Sequence, residues 1–126
     1  MGCLVFILFY FLQNIYSLGA RSFWVHNTGP IGCLPYVLTA FSLAEKDSAG
    51  CSKPHNEVAQ YFNLKLKEAV AQLRNEFPSA AFTYVDIYSV KYSLFAEPQK
   101  HGMPLDCITF TDFFVKNKGL YGLVYI

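Results

Sequence analysis

Charge is scarce in this sequence. Only 15% of its 126 residues are Asp, Glu, Lys or Arg, well below the usual quarter, and the formal net charge is +1. There is no basic field to hold a nucleic-acid backbone and no acidic one to attract a cationic partner. Aromatic residues are plentiful, but basic residues do not interleave with them as a nucleic-acid groove requires. No nucleic-acid partner is therefore expected. No Cys-x-x-Cys pair occurs, and the four cysteines and three histidines have no zinc spacing, so no metal and no cofactor are predicted. The apolar run Cys3–Leu12 falls short of the ~20 residues of an ordinary membrane span, so no stable span is expected. None of the serines sits in a Gly-x-Ser-x-Gly elbow. Internal repeats and low-complexity tracts are absent as well.

What the chain does have is apolar surface. At 53% hydrophobic it can bury a core, and its length fits one small domain. The organising stretch is Phe23–Pro35. Phe23-Trp24-Val25 is a short apolar run, broken by Asn27-Thr28-Gly29-Pro30 and then by Gly32, Cys33 and Pro35. A β-branched and aromatic run stopped by such residues reads as a buried strand entering a shaped loop. In open α/β sheets such strand-end loops form the rim of the ligand crevice.

Downstream, Ser52 is the predicted N-cap of the longest helix, with Pro54 in its first turn and Glu57 near its positive end. Val58, Phe62, Leu66, Ala69, Leu73 and Phe77 recur at helical spacing and predict the core face. Pro78 ends the helix. Ala81–Ile87 reads as a second strand with large residues of both parities, the pattern of a strand covered on both faces. Strand, helix, strand predicts a right-handed crossover with parallel strands near Phe23–Asn27 and Ala81–Ile87 and a helix near Pro54–Phe77. Asp86 at the strand end suits a cap for a short helix over Tyr88–Phe95. Cys33 and Cys51 bracket a polar segment. Two free thiols and a disulfide are both open, and an oxidising compartment favours the disulfide.

Phe23–Pro35, Cys51-Ser52-Lys53-Pro54-His55-Asn56 and Asp86–Leu94 closely resemble segments of plant-type GDSL esterase/lipases, the SGNH hydrolases. The resemblance runs from about Gln13 to Cys107. It implies an α/β fold, a partial flavodoxin-like doubly wound parallel sheet reduced to its βαβ core. It implies a secreted hydrolase whose substrate is a small-molecule or lipid ester. On this reading residues 1–126 are a single incomplete domain, with 1–12 and 108–126 unlike the family. Met1–Leu12 has the length of a signal-peptide core, although no Lys or Arg precedes it. A signal peptide and translated non-coding sequence both remain open for it. Cys107 is expected to lack its family partner.

The family's Gly-Asp-Ser nucleophile block, its Gly and Asn oxyanion donors and its Asp-x-x-His base have no counterpart here. No catalytic residue can be carried over, and an acyl transfer needs those roles together. Among the chain's own residues, His26 is a candidate to orient the loop by a hydrogen bond. His55 lies in a helix first turn, where positive charge is disfavoured, and His101 lies in a turn. The chain as written is expected to be inactive. The alternative is a non-catalytic fragment that associates through exposed apolar surface. The oligomeric state is not legible.

Overall fold

A computed structural model describes residues 2–102. Helix α1 spans Gly2–Ser17 and strand β1 spans Ser22–His26. A 3-10 turn, Ile31–Cys33, leads into a short helix α2, Pro35–Ala40. The long helix α3 covers Lys53–Glu76, strand β2 covers Ala81–Val85, and helix α4 covers Ile87–Ala96, followed by a 3-10 turn at Pro98–His101. The two strands pair in parallel, Ser22 with Ala81 through His26 with Val85. The strand–helix–strand crossover therefore stands where the hydrophobic periodicities put it.

The core lies on one face of this two-stranded sheet. Phe23, Val25 and Phe82 point to it and meet Leu66, Val70 and Leu73 of α3 and Leu12 of α1. The Phe23 and Phe82 rings stack, with centroids 4.6 Å apart. Arg74 of α3 donates twice to the Phe82 carbonyl, at 3.0 and 2.7 Å, and fixes the helix end over β2. On the other face the side chains are uncovered among the described residues, and Trp24 is 79% exposed. Cover on both faces was expected for β2 from its two apolar parities. Within residues 2–102 only one face is covered, because α1 and α3 both pack on the Phe82 side.

The buried face of α3 also departs from the expected stripe. Val58 is half exposed, while Asn56, Ala59, Asn63, Leu66, Ala69, Val70 and Leu73 are buried. The reason is a change of neighbour along the helix. The C-terminal half of α3 packs on the sheet and α1, so it is apolar. Its N-terminal half packs on the loop after β1, whose backbone needs hydrogen-bonding partners. Phe62 and Phe77 are half-buried at the edge of the core. Glu57 falls just past the first helical turn.

Helix α1 is continuous from Gly2 to Ser17, and its residues join the fold: Leu12 is buried and Leu8 and Phe9 pack against the core. Beyond the helix, Gly19 takes the positive φ of 106° that favours glycine there. No helix among the described residues is long and apolar enough to cross a membrane. Cys107 and residues 108–126 lie outside the described residues.

Candidate functional site

The strand ends carry the site's framework. Asn27 continues the ladder, its N–H donating to the Val85 carbonyl at 3.1 Å. Its buried side chain then joins three further groups. The amide NH2 donates to Asp86 Oδ1 at 2.8 Å and to the Tyr84 hydroxyl at 3.1 Å. Its Oδ1 accepts from the Tyr88 N–H at 2.9 Å. One side chain thus ties the end of β1 to the end of β2 and to the first turn of α4. This joint is Asn27 and not its neighbour. His26 is exposed and makes no side-chain hydrogen bond among the described residues, because the strand alternation turns it away from the packed face.

Helix α3 then holds the loop by its amides. Asn63 accepts from the Thr28 N–H at 2.8 Å and donates to the Thr28 carbonyl at 2.7 Å, as a neighbouring strand would. Asn56 accepts from the Gly32 N–H at 2.8 Å and donates to Asp47 Oδ2 at 3.1 Å. Between them Gln60 donates to the Tyr88 hydroxyl at 2.8 Å. Asn56, Gln60 and Asn63 lie on one helix edge by their i, i+4, i+7 spacing. Sequence reasoning missed both asparagines. The available signal was two poor helix formers inside a helix, each with a side chain able to serve backbone groups. Every fully buried side-chain nitrogen or oxygen among the described residues has a partner.

The other end of the loop is closed covalently. Cys33 and Cys51 form a disulfide, with Cα atoms 4.5 Å apart. Beside it, Asp47 Oδ1 accepts from the N–H groups of Ala49 and Cys51, each at 3.0 Å. The carbonyl of Gly32 accepts from the Ser52 N–H at 2.8 Å.

Next to this staple is a shallow, open depression of about 410 Å³, lined by Glu45, Asp47, Lys53, Asn56, Gln60 and Tyr92 among others. Lys53 and Glu45 pair across its edge at 2.9 Å, and that hydrogen bond raises the lysine's pKa. Burial raises the pKa of the Tyr92 hydroxyl, and the neighbouring Asp47 carboxylate adds to the effect. Burial does the same to Tyr88, opposed by the Gln60 hydrogen bond. Asp86 caps α4, accepting from the Ser89 hydroxyl at 2.6 Å and the Ser89 N–H at 3.1 Å. Those two bonds, with the one from Asn27, hold its carboxyl below the usual carboxylate range.

A nucleophile does not emerge from this set. One serine–histidine contact exists among the described residues, Ser52 Oγ to His55 Nδ1 at 2.7 Å. Ser52 is 0% exposed, so no substrate can reach it. The His55 ring also meets Phe41, centroid to centroid 4.7 Å, and among the described residues no carboxylate bonds to it. The pair replaces the expected bond from the Ser52 side chain to a helix N–H, since the hydroxyl turns to the imidazole. His101 is exposed in the last turn. Among the described residues no three His, Cys, Asp or Glu side chains gather as a metal site. The arrangement can shape and line a crevice, and it offers no proton relay to a reactive hydroxyl.

Comparison with known proteins agrees with the resemblance in the sequence. The family model described as GDSL-like lipase/acylhydrolase matches residues 7–118. An esterase of Hevea brasiliensis is 67% identical over 98 residues, which are 78% of this chain and 25% of that protein. A GDSL esterase/lipase of Medicago truncatula is 63% identical over 94 residues, 75% of this chain and 24% of that protein. A protein of Arabidopsis thaliana named alpha-L-fucosidase 3 is 53% identical over 93 residues, 72% of this chain and 25% of that protein. The chain thus spans about a quarter of the length of these relatives. No solved structure matches.

Proposed function

The chain belongs to the GDSL-like lipase/acylhydrolase family, and from that premise we propose that its described residues form one wall of an ester hydrolase's crevice and catalyse nothing alone. The class of substrate is an acyl or acetyl ester of a lipid, a small molecule or a sugar, and the setting is extracellular. The observation that carries this reading is the contrast within the site. The loop after β1 is fixed by three asparagines and a disulfide, while the serine of the one serine–histidine pair among the described residues is sealed from solvent. A Ser hydrolase without an accessible nucleophile and base keeps only binding effects. The disulfide fits an oxidising compartment.

Two experiments test the two halves. The purified 126-residue chain is assayed on a short-chain nitrophenyl ester beside a serum albumin blank. A nitrophenyl fucoside is added because one relative is named a fucosidase. The expected rate equals the blank on both. A higher rate, abolished by a serine-reactive phosphonate, would refute the inactivity. For the wall itself, the matched 98 residues replace their counterpart in the Hevea brasiliensis esterase. The expected hybrid keeps its esterase activity, and a folded but inactive hybrid refutes that half.

A second reading, a non-catalytic piece that associates through apolar surface, is favoured by the uncovered Trp24.

A further inference from the structure

The open depression beside the Cys33–Cys51 disulfide has a shape that the framework fixes and a lining that the framework leaves partly free. Its volume of about 410 Å³ lies within the range of small-ligand sites, ~300–1,000 Å³. Such sites are ordinarily apolar with a few polar groups. Here every lining residue carries a polar or charged group. A ligand that fits must therefore be polar over most of its surface.

The floor is built in advance. Asp47 Oδ1 accepts from two backbone N–H groups, each at 3.0 Å, and Oδ2 accepts from the buried Asn56 amide at 3.1 Å. The Tyr92 hydroxyl faces the same carboxylate, and its ring stacks on Tyr88 with centroids 5.8 Å apart. Gln60 is held by its NH2, which donates to the Tyr88 hydroxyl at 2.8 Å, so its carbonyl oxygen keeps its capacity to accept. Groups fixed before binding lose little freedom on binding.

The rim adds groups that can turn. Lys53, Glu57 and Gln60 follow one side of α3 at i, i+4 and i+7. The Lys53–Glu45 pair at 2.9 Å is exposed on both sides, and exposed ion pairs hold weakly. Ammonium, carboxylate and amide groups thus stand side by side. A sugar hydroxyl both donates and accepts, which suits such a mixed lining. Tyr92 sets an apolar ring with a polar tip beside it, as a sugar sets C–H faces beside hydroxyl edges. A bare anion would meet Glu45, Asp47 and Glu57, and a bare cation would meet Lys46 and Lys53.

We propose that this depression binds a neutral saccharide, with Lys53, Glu57 and Gln60 bonding its hydroxyls and the Tyr92 ring meeting its C–H face. The site needs no nucleophile, so it goes beyond the crevice-wall reading and its test is separate from the esterase assays.

The test is a nuclear magnetic resonance titration of the isotope-labelled 126-residue chain. The neutral probes are maltotriose, cellotriose and xylotriose. The charged ones are trigalacturonate and the trimer of glucosamine. At least one neutral probe should shift the signals of Lys53, Glu57, Gln60 and Tyr92 saturably. The signals of Trp24, on the uncovered sheet face, should stay in place. Glu57→Ala with Gln60→Ala should weaken binding at least about tenfold, since each removes a hydrogen bond to the ligand. Should that variant misfold for want of the Gln60–Tyr88 bond, Glu57→Ala alone, at an exposed position, should still weaken binding at least about threefold. No saturable shift with any neutral probe would overturn the proposal. So would shifts confined to residues outside the depression, tighter binding of either charged trimer, or unchanged affinity in folded Glu57→Ala.

Discussion

Replacing Gly32 by alanine is the sharpest perturbation of the rim. The backbone here has no room for a side chain. A Cβ on Gly32 would collide with the Ser52 carbonyl oxygen and lie 2.8 Å from Asn56 Oδ1 and 2.9 Å from Asn56 Cγ. Neither neighbour can yield cheaply. Ser52 is fully buried, and its N–H donates to the Gly32 carbonyl at 2.8 Å. Asn56 Oδ1 is the acceptor for the Gly32 N–H, also at 2.8 Å. Overpacking a tight site costs about 1–3 kcal/mol, and orphaning a buried N–H adds about 1–3 kcal/mol. A loss of about 3 kcal/mol or more is expected, a large share of the 5–15 kcal/mol that typically holds a domain together. In a domain of this size it should lower Tm by about 15 °C or more. Urea unfolding followed by far-UV circular dichroism measures it, with Gly2→Ala as the control, since nothing lies within 4 Å of a Cβ there. A Gly32→Ala loss below about 1 kcal/mol, or one matched by the control, would refute the close approach of loop and helix.

Asn63→Ala should destabilise by about 2–4 kcal/mol through the two backbone groups of Thr28 it leaves unpaired. Amide exchange at Thr28 should quicken well beyond that of the β1 interior, and unchanged protection would count against the clamp. The double variant Cys33→Ala, Cys51→Ala should lose about 3 kcal/mol, since the bond closes a span with a sequence separation of 18. A urea midpoint unmoved by reduction would deny the staple any weight. Asp86→Ala should cost about 1 kcal/mol at neutral pH by removing the cap of α4. The folded carboxyl titrates below its unfolded value of about 3.9. Its contribution is therefore complete above that value and fades as the pH falls through the lower, folded one. The gap between native and variant urea midpoints should narrow on acidification, and a gap that widened would reverse the sign of the argument.

The fold of this segment was largely legible because its elements follow strong local rules. The stop signals after Val25, the Pro54 start and Pro78 end of α3, and the Asp86 cap are all local chemistry, and the structure places each within a residue or two. The errors arose where a neighbour distant in sequence decides. Val58 scores as core by periodicity, yet the half of α3 it sits on faces a loop, so the helix buries Asn56 and Asn63 instead. His26 looked like the residue that orients the loop because of its chemistry. Strand parity gave that place to Asn27, one residue on. Helix α2 was not foreseen, since six residues over Pro35–Ala40 carry too little periodicity to declare themselves. The two cysteines stood out by sequence position, but hydrophobic periodicity gave no mark to the asparagines that share their task.

Those asparagines explain why a long helix is needed at this crossover at all. A helix that only bridged two parallel strands could be apolar along one face and end there. Here α3 runs on beyond the sheet, and its extra turns carry Asn56, Gln60 and Asn63 to three different clients: the Gly32 N–H, the Tyr88 hydroxyl and both backbone groups of Thr28. Asn27 closes the circuit from the opposite side by holding Asp86 and the first turn of α4. The loop after β1 is therefore bonded along its length to a rigid helix and at its root to the next strand, with the disulfide at its far end. Such a loop gains little by moving, since any displacement breaks several buried hydrogen bonds at once. Such rigidity is the property that the proposed role as one wall of a crevice would require, because a bound substrate has to be held in a fixed geometry. That investment in shape is why substitutions at Gly32 and Asn63 should register in stability in this chain, before any activity is in question.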